Sequence, residues 1–379
     1  MTVSVATAGP YYSTGEIKFS DLRRDFRAQQ PRTSSGGSET TDPSQDSGAI
    51  SAVELLRKTS TTDTNPIVPD STENASIGSS TNWKLSQFRN SVKYYYISQS
   101  GTNTNLDIDA QSWNSNLGKN IVKLMFIDGT CGSNDASSPA ASFDATAYNL
   151  TIDVSGSILG AGGRGGGTAG APSISGENGG DALSVTSSGG NNVVVKVKSG
   201  AKIYGGGGGG ERGYNGSQGS AATCVKSEQF RSDCQQGSNS CPDGWSNTSS
   251  WQQCCRPQRG CAANHWYKIC EYKYTTSTPS AGYSGVGGLG RGYNNQTGSL
   301  EGGKGGGANC PSCDGGYSQQ GGSCSTAGGD GALGGDWSKP GDITSNSGSG
   351  GAAGRAITGS TYSVTGTLIG TIKGTFNQP

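Results

Sequence analysis

What this chain has little of narrows the field first. Hydrophobic residues are only 30% of the 379, well under the share of an ordinary globular domain, so one large oily core is not expected. Basic and acidic residues balance at 28 each and no run of Lys or Arg stands out. Phosphate backbones are held by clustered cations, so nucleic acid is excluded as a partner. No stretch approaches the 18 apolar residues that mark a membrane span. The opening Met1-Thr2-Val3-Ser4-Val5-Ala6 has neither the basic nor the long apolar region of a secretion signal, and the expectation is synthesis in a cytosol with release by lysis.

Catalytic signatures are equally scarce. His265 is the single histidine, and no G-x-S-x-G elbow accompanies it. Carboxylates are scattered, so no glycosidase pair can be named. Gly285 to Gly290 satisfies G-x-G-x-x-G, but no helix signal follows and a chain with 66 glycines produces such matches by chance. Cys310-Pro311-Ser312-Cys313 is a C-x-x-C without the β-α-β setting of a redox site or the second ligand block of a zinc site. Hence no catalytic residue, cofactor or metal is expected, and the chain reads as a structural and binding protein.

What is present is repetitive. Ile17, Ile50 and Trp83 are each 33 residues apart, and Leu22, Leu55 and Phe88 match in the same frame, as do Asp21, Glu54 and Gln87. Phe19, Leu22 and Phe26 sit at helical spacing, as do Leu85, Phe88 and Val92. Ser51 to Glu54 fits a capping box. Each unit is expected to be a short extended piece leading into a short amphipathic helix. Ankyrin has the same period, but a second helix and its signature are missing. Such short helices must dock either onto each other or onto a partner, which marks Ile17, Leu22, Ile50, Leu55, Trp83 and Phe88 as attachment residues in an N-terminal arm, residues 1–97.

Beyond the arm the pattern changes to strands. Ile121 to Ile127 reads as a buried strand ending at Asp128-Gly129, and Leu150 to Val154 alternates. Between Gly156 and Gly359 lie 53 of the 66 glycines. Strands Thr151–Leu159 and Val193–Tyr204 each run into a glycine run, and a last strand region follows at Tyr362–Ile372. Flexible linkers would not alternate so regularly with strands. Packed, extended three-residue-per-turn helices rising about 3.1 Å per residue would, because only glycine lets such backbones approach closely enough to pair their N–H and C=O groups.

Cysteine is concentrated too. Cys224, Cys234, Cys241, Cys254, Cys255, Cys261 and Cys270 fall in one stretch, and Cys310, Cys313 and Cys324 in a later glycine loop; only Cys131 lies apart. Ten is even provided that one bridge crosses between the clusters, so these ten are disulfide candidates. Residues 224–274 read as a small stapled insert, flanked by a β and glycine-rich domain (98–223) and its continuation with C-terminal strands (275–379). Dense cysteine without a secretion signal fits a particle made in a cytosol and later exposed.

The Ile17-to-Arg23 unit, with copies at Ile50 and Trp83, resembles a module of virion structural proteins in marine bacteriophages, cyanophages in particular. The alternation of strand, glycine run, Gly180-Asp181-Ala182-Leu183 and Gly354-Arg355-Ala356-Ile357 resembles glycine-rich phage tail adhesins. This resemblance implies a mainly β fold with polyglycine-II-like layers, short helical repeats in the arm, and a distal part that touches the host receptor, a saccharide or a protein. It also implies a virion location, other tail components as partners and a homo-oligomer. Tyr214, Tyr283, Tyr293, Tyr317 and Trp337, with Trp245 and Trp251 of the insert, are the candidate receptor-facing rings, since flat rings beside amides suit sugar-like surfaces. The alternatives are a non-adhesive virion subunit of the baseplate, tail or capsid surface and, more remotely, an ice-binding polyglycine protein.

Overall fold

The alternating apolar residues of Leu150–Val154 form one rung of a stack. The computed structural model describes residues 6–8, 16–28, 47–57, 68, 74–80, 84–89, 91, 93–109, 111–113, 123–146, 148–168, 174–187, 192–233, 241–247, 252–255, 265–344, 348–359, 361–366 and 372–376. The fold is mainly β. Its strands are β1 (Ala6–Ala8), β2 (Tyr94–Gln99), β3 (Thr102–Thr104), β4 (Leu106–Ile108), β5 (Lys123–Ile127), β6 (Thr130–Gly132), β7 (Ala141–Asp144), β8 (Leu150–Val154), β9 (Ser157–Leu159) and β10 (Leu183–Thr186). There follow β11 (Val193–Val197), β12 (Lys202–Tyr204), β13 (Thr223–Asp233), β14 (Trp245–Asn247), β15 (Gln252–Cys255), β16 (His265–Thr275), β17 (Ser318–Gln320), β18 (Ile357–Gly359), β19 (Tyr362–Gly366) and β20 (Ile372–Lys373). The chain forms two units: Met1–Arg212 with Gly287–Gly302 and Ala332–Pro379, and Gly213–Val286 with Gly303–Gly331.

The first unit holds a three-sided stack of parallel strands. β2, β5, β8, β11 and β19 make one side, β3, β6, β9, β12 and β20 the second, and β4, β7, β10 and β18 the third, with β1 antiparallel on the edge of β2. Successive coils are in register, so like positions stack. Ile97, Met125, Ile152, Val195 and Val364 form one inward column, and Cys131, Ile158, Ile203 and Ile372 another. Side chains alternate in and out along each strand, and each coil buries its inward set only against its neighbours. The expected single strands Thr151–Leu159 and Val193–Tyr204 are each two strands with a corner between, and the region Tyr362–Ile372 holds β19 and the start of β20. In the first of these the corner is at Gly156, where an added Cβ would overlap the carbonyl oxygen of Gly129 on the rung below.

β5 is buried at every position, as expected of a run apolar on both faces, although Ile121 and Val122 lie outside the described residues. Its inward residues join the main core, and its outward Leu124 and Phe126 pack with Tyr94 and Tyr96. Lys123 is the exception: it occupies an inward column between Tyr95 and Leu150 and is only 1% exposed. Its ammonium lies 5.0 Å from the Tyr148 ring centroid, and burial pushes its pKa down to about 8. The folded value lies below the ordinary 10.5, so between these values the unfolded chain holds more protons and stability rises with pH. Lys123→Met should raise the melting temperature at pH 7, by up to about 3 kcal/mol in stability at 1.36 kcal/mol per pKa unit. The gap to the parent should shrink by pH 10.5; equal melting curves at pH 7 would contradict this.

The corner from second to third side lengthens coil by coil. It is Asn105 between β3 and β4, then 133–140, then 160–182, then 205–356. Every glycine run therefore leaves the stack at one corner. The two signature segments meet on return: Leu183 pairs with Ile357, Ala182 donates to the Arg355 carbonyl, and Asp181 Oδ1 accepts the Arg355 N–H at 2.7 Å.

The runs of this unit pair backbone to backbone with a period of three. Gly206, Gly209 and Arg212 donate to Gly180, Glu177 and Ile174; Gly207 and Gly210 donate to Arg291 and Gly288; Gly208 and Glu211 donate to Lys339 and Asp342. One extended segment thus touches three others, each at every third residue. An added Cβ at Gly206, Gly207, Gly208 or Gly209 would overlap the carbonyl oxygen of Ala161, Gly335, Gly351 or Arg164 respectively. Side chains stand in for backbone at one face, where Ser175, Asn178 and Asp181 accept the N–H groups of Ser349, Ala352 and Arg355 at 3.1, 2.8 and 2.7 Å. The buried Glu211 carboxylate accepts from the backbone of Thr344 and Gly348.

The 33-residue units pack on one another. Leu22, Leu55 and Phe88 are all fully buried in one cluster with Ile17, Phe26, Val68 and Ile77, and Ile50 packs against it. Asp21, Glu54 and Gln87 each accept the backbone N–H three residues earlier, at 3.1, 2.7 and 2.5 Å. The Ser51 box is closed by Glu54 N–H to Ser51 Oγ at 3.3 Å. Only the first copy holds an α-helix, α1 (Phe19–Leu22), continued by a π-helical turn, Arg23–Ala28. The second copy is turns and the third a 3₁₀ turn, Leu85–Phe88. The expected helical face is corrected as well, for Phe19 is 51% exposed while Leu22 and Phe26 are buried. A single turn fixes only the positions 22, 55 and 88 on the core side, so spacing beyond it loses its meaning. Trp83 and Val92 lie outside the described residues, and β2 runs across the expected boundary at 97.

Candidate functional site

Alternation in the cysteine-rich stretch decides the second unit. β13 and β16 pair antiparallel over eleven positions from Thr223↔Thr275 to Asp233↔His265, with β14 and β15 on the far edge of β16 and β17 on that of β13. Side chains two apart share a face, so Cys224, Lys226 and Glu228 face the same way as their partners Tyr274, Tyr272 and Cys270. Two disulfides leave this face, Cys224–Cys313 and Cys241–Cys270. The first spans 89 residues and is the crossing bridge that parity required; loop-closure entropy puts its contribution at about 4.6 kcal/mol. Cys310–Cys324 closes a smaller loop.

These bridges hold rings against the sheet. Trp245 lies 5.7 Å from Tyr272, Tyr272 lies 6.2 Å from Tyr274, and Tyr317 lies 6.1 and 5.2 Å from Tyr272 and Tyr274. All four are half-buried. The Tyr274 hydroxyl accepts the Asp314 N–H at 2.9 Å. Lys226 Nζ stands 5.9 Å from the Tyr317 ring centroid and 2.5 Å from Glu228 Oε1, and the hydrogen bond to Glu228 raises the lysine's pKa.

Glycine runs of this unit repeat the period of three. Gly213, Gly216 and Gly219 donate to Gly285, Gly282 and Pro279, and Gly328 and Gly331 donate to Gly306 and Gly303. The rings of Tyr214 and Tyr283 lie over Gly329 and Gly306, where an added Cβ would overlap them; they remain 46% and 72% exposed.

The five receptor-facing candidates therefore divide. Tyr214, Tyr283 and Tyr317 belong to the second unit, Tyr293 and Trp337 to the first. Tyr293 covers Gly132 of β6, and Trp337 packs 5.6 Å from Tyr204; both are half-buried. Tyr272 and Tyr274 were not singled out by composition, yet Cys270-x-Tyr272-x-Tyr274 carries the period-two signal. Trp251, Cys234 and Cys261 lie outside the described residues, and of Cys254 and Cys255 only the backbone of β15 is described. The C-x-x-C sulfurs go to different partners, Cys310 to Cys324 and Cys313 to Cys224. Cys131 carries a free thiol buried in the first unit's core, its pKa pushed up to about 12 by burial. Among the described residues, no three His, Cys, Asp or Glu side chains gather as metal ligands, and no helix is long and apolar enough to cross a membrane.

Comparison with known proteins places these features in a context. The family model described as "Phage tail fibre adhesin Gp38" matches residues 92–377. Among solved structures, the gp37-gp38 adhesin tip complex of the bacteriophage S16 long tail fiber is similar at 17% identity and a TM-score of 0.36, over 78% of this chain and 87% of that one. No curated protein matches.

Proposed function

Because the chain belongs to the phage tail fibre adhesin Gp38 family, whose model spans residues 92–377, it is a virion component of the tail fibre, and we propose how its parts divide the task. The glycine segments are polyglycine-II-like helices packed in layers. The period-three hydrogen bonds support this, since a helix of three residues per turn offers each of three neighbours one N–H per turn. The layers give a stiff, water-tolerant support with no oily core, suited to presenting loops outside a cell.

The arm, residues 1–97, attaches the protein to other tail components, and the second unit meets the host surface. The observation that carries the second assignment is the exposure of Tyr214 and Tyr283 together with the half-exposed rings around Tyr317. Chemistry at the tip is recognition, with binding through ring faces and amides, and the working form is a homo-oligomer within the fibre. Gold-labelled antibody against this chain should decorate the distal ends of the tail fibres in electron micrographs. Label on the baseplate or capsid instead would favour a non-adhesive virion subunit.

A further inference from the structure

We propose that the ring cluster of Trp245, Tyr272, Tyr274 and Tyr317 is a saccharide-binding platform for neutral sugars of the cell surface. The proposal rests on the adhesin assignment and names the ligand class and the residues. Small stapled domains also use rings simply to fill space around disulfides, and what else shares the face tells the two uses apart. The positions named on it are Cys224, Lys226, Glu228, Cys270, Tyr272, Tyr274, Trp245 and Tyr317, with Gln319 paired to Cys224. None is aliphatic. A filler core recruits Leu, Ile and Val; the four described rings of this face all carry polar tips and keep part of their surface in solvent.

Its electrostatics point away from an ionic partner. Lys226 stands 5.9 Å from the Tyr317 ring centroid, and Glu228 pairs with it at 2.5 Å, so its charge is cancelled. What remains is flat π surface beside an exposed Gln319 amide. Pyranose rings present C–H faces to such surfaces and hydroxyls to amides and phenols. Rigidity adds to this. Trp245 follows Cys241 by four residues and Tyr317 follows Cys313 by four, and each of these cysteines is bonded to the β13–β16 hairpin. Tyr274 is fixed through its hydroxyl by the Asp314 N–H. Rings already held in place lose little entropy on binding, which matters for weakly binding sugars.

The test uses the full-length protein and cells of a susceptible strain. Binding should vanish after periodate has cleaved the vicinal diols of surface sugars and should survive proteinase K. Tyr272→Leu with Tyr317→Leu keeps apolar volume but removes the flat faces, and should weaken cell binding at least tenfold. Tyr272→Phe with Tyr317→Phe should stay within about threefold. Polysaccharide released from the same cells should protect Tyr272 and Tyr317 of the unmodified protein from nitration, read by mass spectrometry; this arm decides even if the leucine variant misfolds. Binding that resists periodate but is lost to protease, native binding by a folded leucine variant, or unprotected tyrosines would each overturn the platform while leaving the adhesin assignment intact. A folded parent that binds no cells would overturn both.

Discussion

Gly207→Val is expected to unfold the glycine-rich part of the first unit, lowering its stability by about 4 kcal/mol or more, at the severe end for single substitutions. Gly207 donates to the Arg291 carbonyl and accepts from the Gly163 N–H. A Cβ there would overlap the carbonyl oxygens of Gly335 and Asp336. Those are backbone atoms, tied into the same hydrogen-bond array through Gly335 N–H to Gly208, so they cannot swing aside as a side chain could. Relief requires separating segments, and each separated pair leaves buried amides unpaired. The control lies in the same chain. Gly307 and Gly315 have nothing within 4 Å of an added Cβ, so alanine at either should change stability by no more than about 0.5 kcal/mol. Thermal melts of the three variants check this, and a Gly207→Val melt that overlays the parent would mean the run behaves as a linker.

Replacing Leu22, Leu55 and Phe88 together by Asp should remove the chain from phage particles. Each of the three is fully buried in one cluster, and an unpaired carboxylate placed there costs several kcal/mol. The repeated units have little else to hold them, because their regular structure amounts to single turns. The stack that begins at Tyr94 has its own core and should retain its β signal by circular dichroism. Normal incorporation of the triple variant would show that attachment does not depend on the folded arm.

The same three residues show what the sequence could and could not reveal. A 33-residue period, with acids or amides at 21, 54 and 87, was visible because each copy satisfies its backbone locally, within three residues. Whether the apolar faces meet each other or a partner was not decidable, since nothing in one copy names the next. The glycine array was legible for a related reason: a backbone approached from three sides excludes every side chain, and only glycine survives that pressure. The three-sided stack was not legible. Its rungs join residues far apart in sequence, such as Val195 with Val364, and a strand that bends at Gly156 looks like one continuous alternation. The crossing disulfide followed from parity, but its members did not.

At the candidate site, Tyr317 and Trp245 stood out by type alone. Tyr272 and Tyr274 became partners only through the register of β13 on β16, which a two-residue period hints at and a fold decides. Tyr293 and Trp337 were singled out as rings by type; that one covers Gly132 and the other leans on Tyr204 depends on coils distant in the chain.

The central claim is that this chain is the part of the fibre that touches the cell. Purified full-length protein, added to susceptible cells before the phage, tests it most directly. The prediction is saturable binding to the cells and a dose-dependent fall in phage adsorption, with resistant cells binding neither. Folded protein that fails to bind the cells and leaves adsorption unchanged would contradict it.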